Sequence, residues 1–392
     1  MKNSYLNPAQ FNAETEKCLQ CKTKPCEQAC PAHCSPHDFI AAAKNKNFDE
    51  AANMILQQNP LAETCGLICP DKFCMNACLR AKIDNPINIP KIQATILQKY
   101  REKFAPKKQN INPNGKKIAV IGAGPAGIGA AATLLKLGYT VSVYEKSPTA
   151  GGALNMIPES RLPKNIVTAE WKYLSQYPNF EINLSSDISS PQMLLQQGYD
   201  GVICATGENQ FRKLGVEGEQ YSLNYDEYLL HPQKYVTSGN VAVIGGGAVA
   251  VDCAITARET GAKNVEMFVR RRLCDMRITA HERASLLQNM IDITTMTRIS
   301  KIEKNNNTLT AYTVKTRFNG DGKLEDIPNT QTARPDFAII VMALGTQSST
   351  PKQPADNIIY AGDCLSGSST AVQAVASGKN AARQLHEVLF KN

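Results

Sequence analysis

A glycine-rich turn joins a strand-length apolar run to an alanine-rich helical stretch within residues 117–145, and a second strand-length run then ends in Glu145. The turn carries Gly122, Gly124 and Gly127. In this spacing the first glycine allows a tight turn, the second lets the backbone approach a pyrophosphate, and the third lets helix and strand pack closely. The helix N-terminus offers N–H groups to the phosphates, and an acid about 20 residues later is placed for a ribose hydroxyl. The predicted dinucleotide-binding residues are Gly122, Gly124, Pro125, Ala126, Gly127 and Glu145.

The same succession of strand, turn and helix recurs at residues 240–269, which indicates a second dinucleotide-binding unit. Ala250 stands where the third glycine would be, a change that helix packing tolerates. The predicted binding residues of this second loop are Gly245, Gly247, Ala248 and Val249.

The second unit differs from the first where its second strand ends, because a basic run replaces the acid. Arg270, Arg271 and Arg272 follow Val269 directly, and Arg277 lies further on. Guanidinium groups form paired hydrogen bonds with phosphate, so this run favours a 2′-phosphate and hence NADPH over NADH. The alternative is an ordinary basic cluster on the surface. The predicted nucleotide ligands in this segment are Arg270, Arg271 and Arg277.

Cysteine is concentrated near the N-terminus, where nine of the 13 cysteines lie between Cys18 and Cys78. Such density is typical of secreted disulfide-bonded scaffolds. Here the polar N-terminus carries no secretion signal, and two cofactor-binding units follow. A reducing cytosol is therefore expected, and with it cysteines that act as metal ligands.

The cysteine spacings favour iron–sulfur clusters over a single metal ion. The first run reads CxxCxxxxCxxxCP from Cys18 to Pro31, and the second reads CxxxCPxxxCxxxC from Cys65 to Cys78. Closely spaced thiolates ending in Cys-Pro are typical of bacterial ferredoxins, in which the fourth cysteine of a run binds the other cluster. Zinc is the alternative, since it also accepts tetrahedral sulfur ligands, although its sites usually show paired CxxC motifs separated by a wide gap.

Length and composition limit the remaining possibilities. A chain of 392 residues can hold two or three domains, and its hydrophobic fraction of 43% is that of a globular protein. The net charge of +8 raises nucleic acid binding as an alternative, but the lysines are scattered and aromatic residues are scarce, so no nucleic acid partner is expected. No uninterrupted apolar stretch is long enough to span a bilayer, so we expect no membrane association and a cytoplasmic location.

The cysteine runs, the segment DNPINIPKIQ at Asp84–Gln93 and the two glycine loops together resemble the reductase portion of dihydropyrimidine dehydrogenase. They are also similar to the bacterial flavoprotein subunit of that enzyme and, more distantly, to the glutamate synthase small subunit. The resemblance extends from Cys18 to about Leu385. It implies a helical domain that holds two [4Fe–4S] clusters, together with domains that bind FAD and NADPH.

This resemblance implies that each cluster draws ligands from both cysteine runs. One cluster would be held by Cys18, Cys21, Cys26 and Cys78. The other would be held by Cys30, Cys69, Cys74 and Gln93, and the PINI motif before Gln93 fixes its register. Cys34 and Cys65 are left over and are expected to be small buried side chains.

The resemblance also assigns two segments to the flavin neighbourhood of the first dinucleotide unit. IPESRLP at Ile157–Pro163 resembles a loop that runs beside the flavin, so Arg161 and the preceding Gly152 are expected near the cofactor. Ala205-Thr206-Gly207 ends a strand where two-dinucleotide flavoproteins cross from one nucleotide domain toward the other.

Near the C-terminus, Ala361-Gly362-Asp363 resembles the motif whose acid binds the ribityl chain of FAD. Thr370 opens a helix whose positive end would stabilise charge on the reduced flavin ring. Gly362, Asp363 and Thr370 therefore complete the expected FAD site. Ala248 departs from the family pattern, which usually has a polar residue there, so the resemblance implies phosphate binding more directly than nicotinamide placement.

These features predict an α/β fold in which an N-terminal α-helical domain with two [4Fe–4S] clusters precedes two Rossmann-like domains, the second inserted in the first. The predicted spans are 1–110 for the cluster domain, 115–236 with 346–392 for the FAD-binding domain, and 237–345 for the NAD(P)H-binding domain. A linker rich in Pro, Asn and Lys is expected at Ala105–Gly115.

This order of parts predicts an oxidoreductase that passes electrons from NADPH through FAD to the clusters and on to a partner. No separate catalytic residues are expected, because the cofactors carry the reaction. The expected partner is an FMN-containing dihydropyrimidine dehydrogenase subunit, since the chain has no room for the FMN barrel of that enzyme. The alternatives are the large subunit of glutamate synthase as partner, and a stand-alone NADPH:acceptor oxidoreductase.

Overall fold

The computed structural model describes residues 5–103, 111–208, 210–347 and 356–390. The predicted α/β fold is confirmed, with a helical N-terminal region followed by one fully parallel sheet and one mixed sheet further along the chain. The described residues form two compact units. Unit 1 falls within Met1–Asn155, Glu159–Glu208 and Ser348–Asn392, and unit 2 falls within Met156–Pro158 and Asn209–Gln347. Among the described helices, none has the length and hydropathy that crossing a bilayer requires.

Unit 1 begins with six helices. They are α1 (Pro8–Glu16), α2 (Pro25–Gln28), α3 (Pro36–Lys44), α4 (Phe48–Gln58), α5 (Ala62–Ile68) and α6 (Ile89–Lys103), with a 3₁₀ helix at Leu79–Lys82. Their shared core is aliphatic and aromatic, built around Phe39, Ile40, Ile55, Ile92 and Ile96, which are at most 1% exposed. Removing these side chains from water stabilises the layer by roughly 1.5–3 kcal/mol each.

The chain is helical over most of residues 36–58, but the helix is interrupted between α3 and α4. Lys46 has a left-handed φ of 61°, which separates α3 from α4. The Asn47 side chain then accepts a hydrogen bond from the Glu50 N–H at 3.4 Å and caps α4. Asparagine side chains compete for backbone groups and favour caps over helix interiors, which explains the break.

The first sheet of unit 1 is fully parallel. Its first four strands and their helices are β1 (Lys117–Ile121), α7 (Pro125–Lys136), β2 (Thr140–Tyr144), α8 (Lys164–Tyr173), β3 (Phe180–Asn183), α9 (Pro191–Gln196) and β4 (Gly201–Cys204). Short 3₁₀ helices lie at Gly152–Met156 and Leu174–Gln176. Burial on both faces explains why β1 is apolar after Lys117.

Unit 2 interrupts unit 1 after β4. Its elements are β5 (Leu223–Asn224), α10 (Tyr225–Leu230), β6 (Asn240–Ile244), α11 (Ala248–Glu259), β7 (Asn264–Val269), α12 (Ala280–Gln288), β8 (Asp292–Thr295), β9 (Thr297–Asn305), β10 (Thr308–Phe318), β11 (Leu324–Asp326) and β12 (Thr332–Met342), with 3₁₀ helices at Glu219–Tyr221, Pro232–Tyr235 and Leu273–Asp275. Its sheet runs β11-β10-β12-β6-β7-β8, while β5 pairs with β12 and β9 pairs with β10.

The chain then returns to unit 1. The returning elements are β13 (Ile358–Tyr360), α13 (Asp363–Ser366) and α14 (Ala371–Phe390). β13 pairs with β4, so the first sheet runs β13-β4-β1-β2-β3. Unit 2 is thus inserted in unit 1, as the sequence predicts.

Residues 210–236 lie in unit 2, whereas the sequence placed them in the FAD-binding domain. β5 pairs with the β12 residues Val341 and Met342, and Tyr228 is fully buried in the core of unit 2. The division into three domains with the spans given above stays a prediction. The linker expected at Ala105–Gly115 lies partly outside the described residues, which resume at residue 111.

A buried carboxyl group joins the helical layer of unit 1 to its sheet region. Glu170 on α8 accepts hydrogen bonds from the N–H groups of Glu63, at 2.7 Å, and Thr64, at 3.1 Å. The Thr64 hydroxyl donates a hydrogen bond to the other carboxyl oxygen of Glu170 at 2.5 Å. Burial raises the pKa of Glu170 to about 8 even though these donors oppose the shift. Removal from water therefore outweighs hydrogen bonding at this site.

This carboxyl group should make stability pH-dependent. Its pKa rises from 4.5 in the unfolded chain to about 8 when folded, so its contribution is fully present below pH 4.5 and is lost as pH rises through about 8. We predict that the free energy of unfolding of the wild type falls between pH 5 and 8, by at most about 1.4 kcal/mol per pH unit from this group. In Glu170→Gln, which keeps an acceptor and adds a donor, the fall should be smaller.

Urea unfolding midpoints at pH 5, 6.5 and 8 measure this difference. Glu159→Gln is the matched control, because Glu159 is exposed and should follow the wild type. Parallel pH profiles for the wild type and Glu170→Gln would show that Glu170 is ionised in the folded protein and that the account of this junction is wrong.

Candidate functional site

Four of the predicted ligand cysteines surround a single cavity in the helical layer. Its lining includes Cys18, Cys21 and Cys26 from the first run and Cys78 from the second. The loop after α1 and the start of α2 supply the first three, and Cys78 immediately precedes the 3₁₀ helix at Leu79–Lys82. The structure thus brings together the four residues that the resemblance grouped, although they span 60 positions of the sequence.

The surroundings of this cavity are poorly suited to free thiolates. Apolar residues, among them Leu19 and Ile40, make up most of the rest of its lining, together with the basic residues Lys24, His37 and Arg80. Burial raises the pKa of the Cys18 thiol, and it raises that of Cys26 to about 11. Deprotonated sulfur is stable here only with a positive partner, and iron is such a partner. Across the residues that the structure describes, no three His, Cys, Asp or Glu side chains converge as closely as the ligands of one metal ion.

A second group of thiols lies nearby and contains more cysteines than predicted. Cys30, Cys69 and Cys74 interact electrostatically with one another, as the assignment to one cluster requires. Burial raises the pKa of Cys74 to about 12. The leftover thiols are also here: a hydrogen bond from Cys34 lowers the pKa of Cys30, and Cys69 is hydrogen-bonded to Cys65. Five thiols therefore share this region.

Gln93 belongs to the same region through helix packing. It lies on α6, is 7% exposed, and its Nε2 donates to the carbonyl oxygen of Ala62 at 2.6 Å. Ala62 opens α5, the helix that ends just before Cys69. Because Nε2 is engaged, Oε1 is the atom that Gln93 can offer to iron. The donor set of three thiols and one amide oxygen fits a cluster with an unusual fourth ligand.

The first glycine loop and Glu145 lie together at the carboxyl end of the first sheet. Glu145 follows β2, is 7% exposed, and accepts hydrogen bonds from the N–H groups of Ala123, at 2.7 Å, and Ser147, at 2.8 Å. A Cβ on Gly127 would lie 2.0 Å from the oxygen of Gly122, so only glycine permits this closure. The carboxylate is thereby fixed beside the loop, where it retains acceptor capacity for a ribose hydroxyl.

Two more predicted flavin residues approach the same loop. The Gly151 N–H donates to Ala123 O at 2.7 Å, and a Cβ on Gly152 would lie 3.0 Å from the Cα of Gly124. A Cβ on Gly362 would lie 2.7 Å from that of Ala126. Glycine residues, which have no side chains, therefore surround the N-terminus of α7, which follows Gly124 and begins at Pro125. A site without side chains at a helix N-terminus fits a pyrophosphate.

The other predicted flavin residues lie in segments outside the first glycine loop. Asp363 accepts a hydrogen bond from the Ser369 hydroxyl at 2.5 Å, and burial raises its pKa. Thr370 immediately precedes α14, and its hydroxyl donates to Gln373 Oε1 at 2.8 Å. Gly207 lies past the end of β4 with φ of 73°, and Arg161 lies in the turn before α8.

The second glycine loop repeats this geometry within unit 2. Gly245 follows β6 with φ of 149°, and Gly247 caps α11, so Ala248 and Val249 form its first turn. A Cβ on Gly247 would meet no atom within 4 Å, which leaves the helix N-terminus open to a ligand. Arg277 lies beside this loop, since its backbone pairs with Gly247.

The basic run after β7 forms one wall of an open cleft of about 660 Å³. The cleft is lined by Arg270, Arg271, Arg272, Asp275, Phe318, Gly322, Lys323 and Leu324. Arg272 forms an ion pair with Asp275 at 2.9 Å. Its guanidinium also lies over the aromatic ring of Phe318, 5.1 Å from the ring centroid. Arg270 and Arg271 are therefore the guanidinium groups most available to an anion. Arg277 does not line this cleft.

Sequence reasoning missed several of these residues. Phe318 ends β10 and Lys323 lies in the turn between β10 and β11, about 50 positions beyond the arginine run, and no motif marks them. The contacts of Cys34 and Cys65 could have been expected from the sequence, because each lies four positions from a predicted ligand, Cys30 or Cys69 respectively. That spacing places side chains on one face of a helix, which applies to Cys65 and Cys69 at the end of α5, whereas Cys30 and Cys34 lie in the loop between α2 and α3.

Comparison with known proteins matches two successive parts of the chain to two families. Residues 2–105 match the family described as dihydropyrimidine dehydrogenase domain II, 4Fe-4S cluster. Residues 116–378 match the pyridine nucleotide-disulphide oxidoreductase family. The chain is 31% identical to the NAD-dependent dihydropyrimidine dehydrogenase subunit PreT of Salmonella typhimurium, over 96% of this chain and 94% of that protein.

Two further proteins show how widely this architecture occurs. The NADP(+)-dependent formate dehydrogenase subunit beta of Moorella thermoacetica is 29% identical over 94% of this chain and 60% of its own length. The structure of Mycobacterium tuberculosis FprA in complex with NADPH superposes with a TM-score of 0.61 at 17% identity, covering 71% of this chain and 85% of that one. The latter likeness concerns the fold alone. The chain thus belongs to the pyridine nucleotide-disulphide oxidoreductase family and joins that fold to an N-terminal 4Fe-4S domain of the dihydropyrimidine dehydrogenase type.

Proposed function

We propose that the chain takes electrons from NADPH and passes them through FAD and two [4Fe–4S] clusters to a separate catalytic subunit, of the dihydropyrimidine dehydrogenase kind. The observation that carries this proposal is the arrangement of thiols in unit 1. Four cysteines surround one cavity, and Cys30 of the second thiol group lies two residues before Ala32, whose carbonyl oxygen accepts a hydrogen bond from Lys379 of α14. FAD, when bound, supplies the exchange between two-electron and one-electron chemistry.

The order of the sites follows from contacts within unit 1. Lys379 of α14 donates to Ala32 O at 2.7 Å, two residues after Cys30, so the second thiol group adjoins the helix that opens at Thr370. Cys26 of the first group interacts with Cys74 of the second. The group around Cys30 therefore receives electrons from the flavin, and the cavity of Cys18 and Cys78 delivers them outward.

The partner remains to be found by experiment, and two features favour a pyrimidine-reducing subunit. The Salmonella relative, named as a dihydropyrimidine dehydrogenase subunit, aligns over 96% of this chain. Clusters that lie ahead of a flavin fold are useful chiefly as a conductor to another protein. We also propose a cytoplasmic location, because thiolate clusters need a reducing compartment.

The cleft in unit 2 supports a preference for NADPH. Asp275 forms its ion pair with Arg272 and not with Arg270 or Arg271, and Lys323 adds a further positive charge to the lining. We assign Arg270, Arg271 and Lys323 to the 2′-phosphate, and Arg277 to the pyrophosphate beside Gly247. The Salmonella relative is named NAD-dependent and the Moorella relative NADP(+)-dependent, so nucleotide choice varies among these proteins.

We predict that Arg270→Ala weakens NADPH binding about tenfold to a hundredfold and leaves NADH binding nearly unchanged. The reason is that a charge-assisted hydrogen bond contributes about 1.5–3 kcal/mol, and each 1.4 kcal/mol is tenfold in affinity. Arg277→Ala should weaken both nucleotides alike, because the pyrophosphate is common to them. Anaerobic flavin reduction at increasing nucleotide concentration gives the two apparent dissociation constants.

Arg317→Ala is the control for this experiment, since Arg317 pairs with Glu325 and does not line the cleft. It should behave as the wild type. Equal use of NADH and NADPH by the wild type would show that Arg270 and Arg271 are ordinary surface charges.

The function itself predicts a reductase that makes no natural product alone. The anaerobically purified chain should reduce ferricyanide with NADPH, yet it should not turn over uracil, dihydrouracil, or glutamine with 2-oxoglutarate. Proteins that copurify from the native cell, identified by mass spectrometry, supply the partner to be added back. An FMN protein that restores pyrimidine turnover supports the proposal, whereas a large glutamate synthase subunit would replace the proposed substrate class.

Substitution of Gln93 separates the two stages of this reaction. Gln93→Leu should reduce coupled turnover far more than ferricyanide reduction, because nucleotide oxidation precedes the clusters. Gln57→Leu, at an exposed side chain of the same helical layer, should change neither. Efficient uracil reduction or glutamate synthesis by the isolated chain would contradict the electron-input role.

A further inference from the structure

A buried lysine links α14 to the second thiol group of unit 1. Lys379 is 6% exposed, and its Nζ donates to the carbonyl oxygens of Ala32, at 2.7 Å, and Gln58, at 2.6 Å. Both acceptors belong to the helical layer, more than 300 positions away in the sequence. Burying an ammonium group costs free energy unless it is well paired, so this position is not a casual surface contact.

The position of Lys379 is set by rigid neighbours. A Cβ on Gly378 would lie 1.9 Å from Ala126 O, so α14 packs directly on the N-terminal turn of α7. Gln58 is the last residue of α4, whose carbonyl end attracts cations. Thr370, in the predicted flavin site, lies nine residues earlier, or about 14 Å along the helix at 1.5 Å per residue. One helix therefore spans from the flavin site to the thiol group.

The charge of Lys379 acts on the thiols around Cys30. The Lys379 Nζ donates to Ala32 O at 2.7 Å, and Ala32 lies two residues after Cys30 and two residues before Cys34. An ammonium beside the segment that carries these sulfurs stabilises the extra negative charge of a reduced cluster bound to them.

We propose that Lys379 is a positioning residue for electron entry, whose buried ammonium holds Cys30 against α14 and raises the reduction potential of the cluster bound there. This inference rests on the proposed function. It concerns one cluster only, because Lys379 contacts the segment after Cys30 and does not line the cavity of Cys18 and Cys78. The neutral ligand Gln93 acts in the same direction, since it reduces the negative charge of that cluster.

Lys136 provides a matched control. It lies in the last turn of α7, and its Nζ donates to Gln57 O at 2.8 Å, at the same end of α4. Burial and the charge of Lys379 lower the pKa of Lys136 to about 8, and no cysteine contributes to that shift. A lysine that only clamps the layers should behave like Lys136, whereas one that acts on a cluster should not.

The test is a redox titration of the anaerobic holoprotein, followed by electron paramagnetic resonance of each reduced cluster. Lys379→Met should lower the midpoint potential of one cluster by about 59 mV or more, the equivalent of a tenfold loss in affinity for one electron. The other cluster should be unchanged, Lys379→Arg should stay near the wild type, and Lys136→Met should shift neither. Unchanged potentials in Lys379→Met with full iron content, or equal shifts in both lysine variants, overturn the proposal.

Lys379→Gln separates charge from hydrogen bonding if Lys379→Met folds poorly, because the amide still donates to carbonyls. A lowered potential in this variant supports the proposal. Loss of iron in both neutral variants but not in Lys379→Arg would overturn the effect on the potential and make Lys379 a structural clamp. A chain that holds no cluster at all would instead refute the proposed function.

Discussion

Two polar side chains that are removed from water fasten the helical layer of unit 1 to its sheet region. The Glu170 carboxyl receives donors from the start of α5, and the Lys379 ammonium donates to the end of α4 and to the segment after Cys30. Either group would be costly if left unpaired, so each favours the one arrangement that satisfies it. The alignment of the thiols with the first glycine loop depends on that arrangement.

The thiols are placed by helix ends rather than by regular structure. Cys69 caps α5, Cys26 opens α2, and Cys78 precedes a 3₁₀ helix. Helix ends leave backbone N–H and carbonyl groups without intrahelical partners, and such N–H groups are available to the sulfur atoms of a cluster. The helical layer thus uses aliphatic packing for stability and its loops for ligands.

The fold could be predicted from the sequence wherever a short motif has a characteristic backbone geometry. The two glycine loops, the cysteine runs and the insertion of one nucleotide-binding unit in another follow from local spacing and from repetition, and the structure agrees on the fold. The pairing of β5 with β12, the break at Lys46 and the contribution of Lys323 to the arginine cleft did not follow. Each of these features depends on which distant segment of the chain packs against it. Short polar segments and turns have little hydrophobic periodicity, so the sequence alone does not indicate that packing. Lys379 is the clearest case, because a lysine in a helical repeat normally indicates a solvated face.

The central claim is that this one chain holds two [4Fe–4S] clusters beside a flavin. Its most direct test is the iron, acid-labile sulfide and zinc content of anaerobically purified protein, measured together with bound FAD. The account predicts about eight irons and eight sulfides per chain, with one FAD and no stoichiometric zinc. Stoichiometric zinc without sulfide would contradict it.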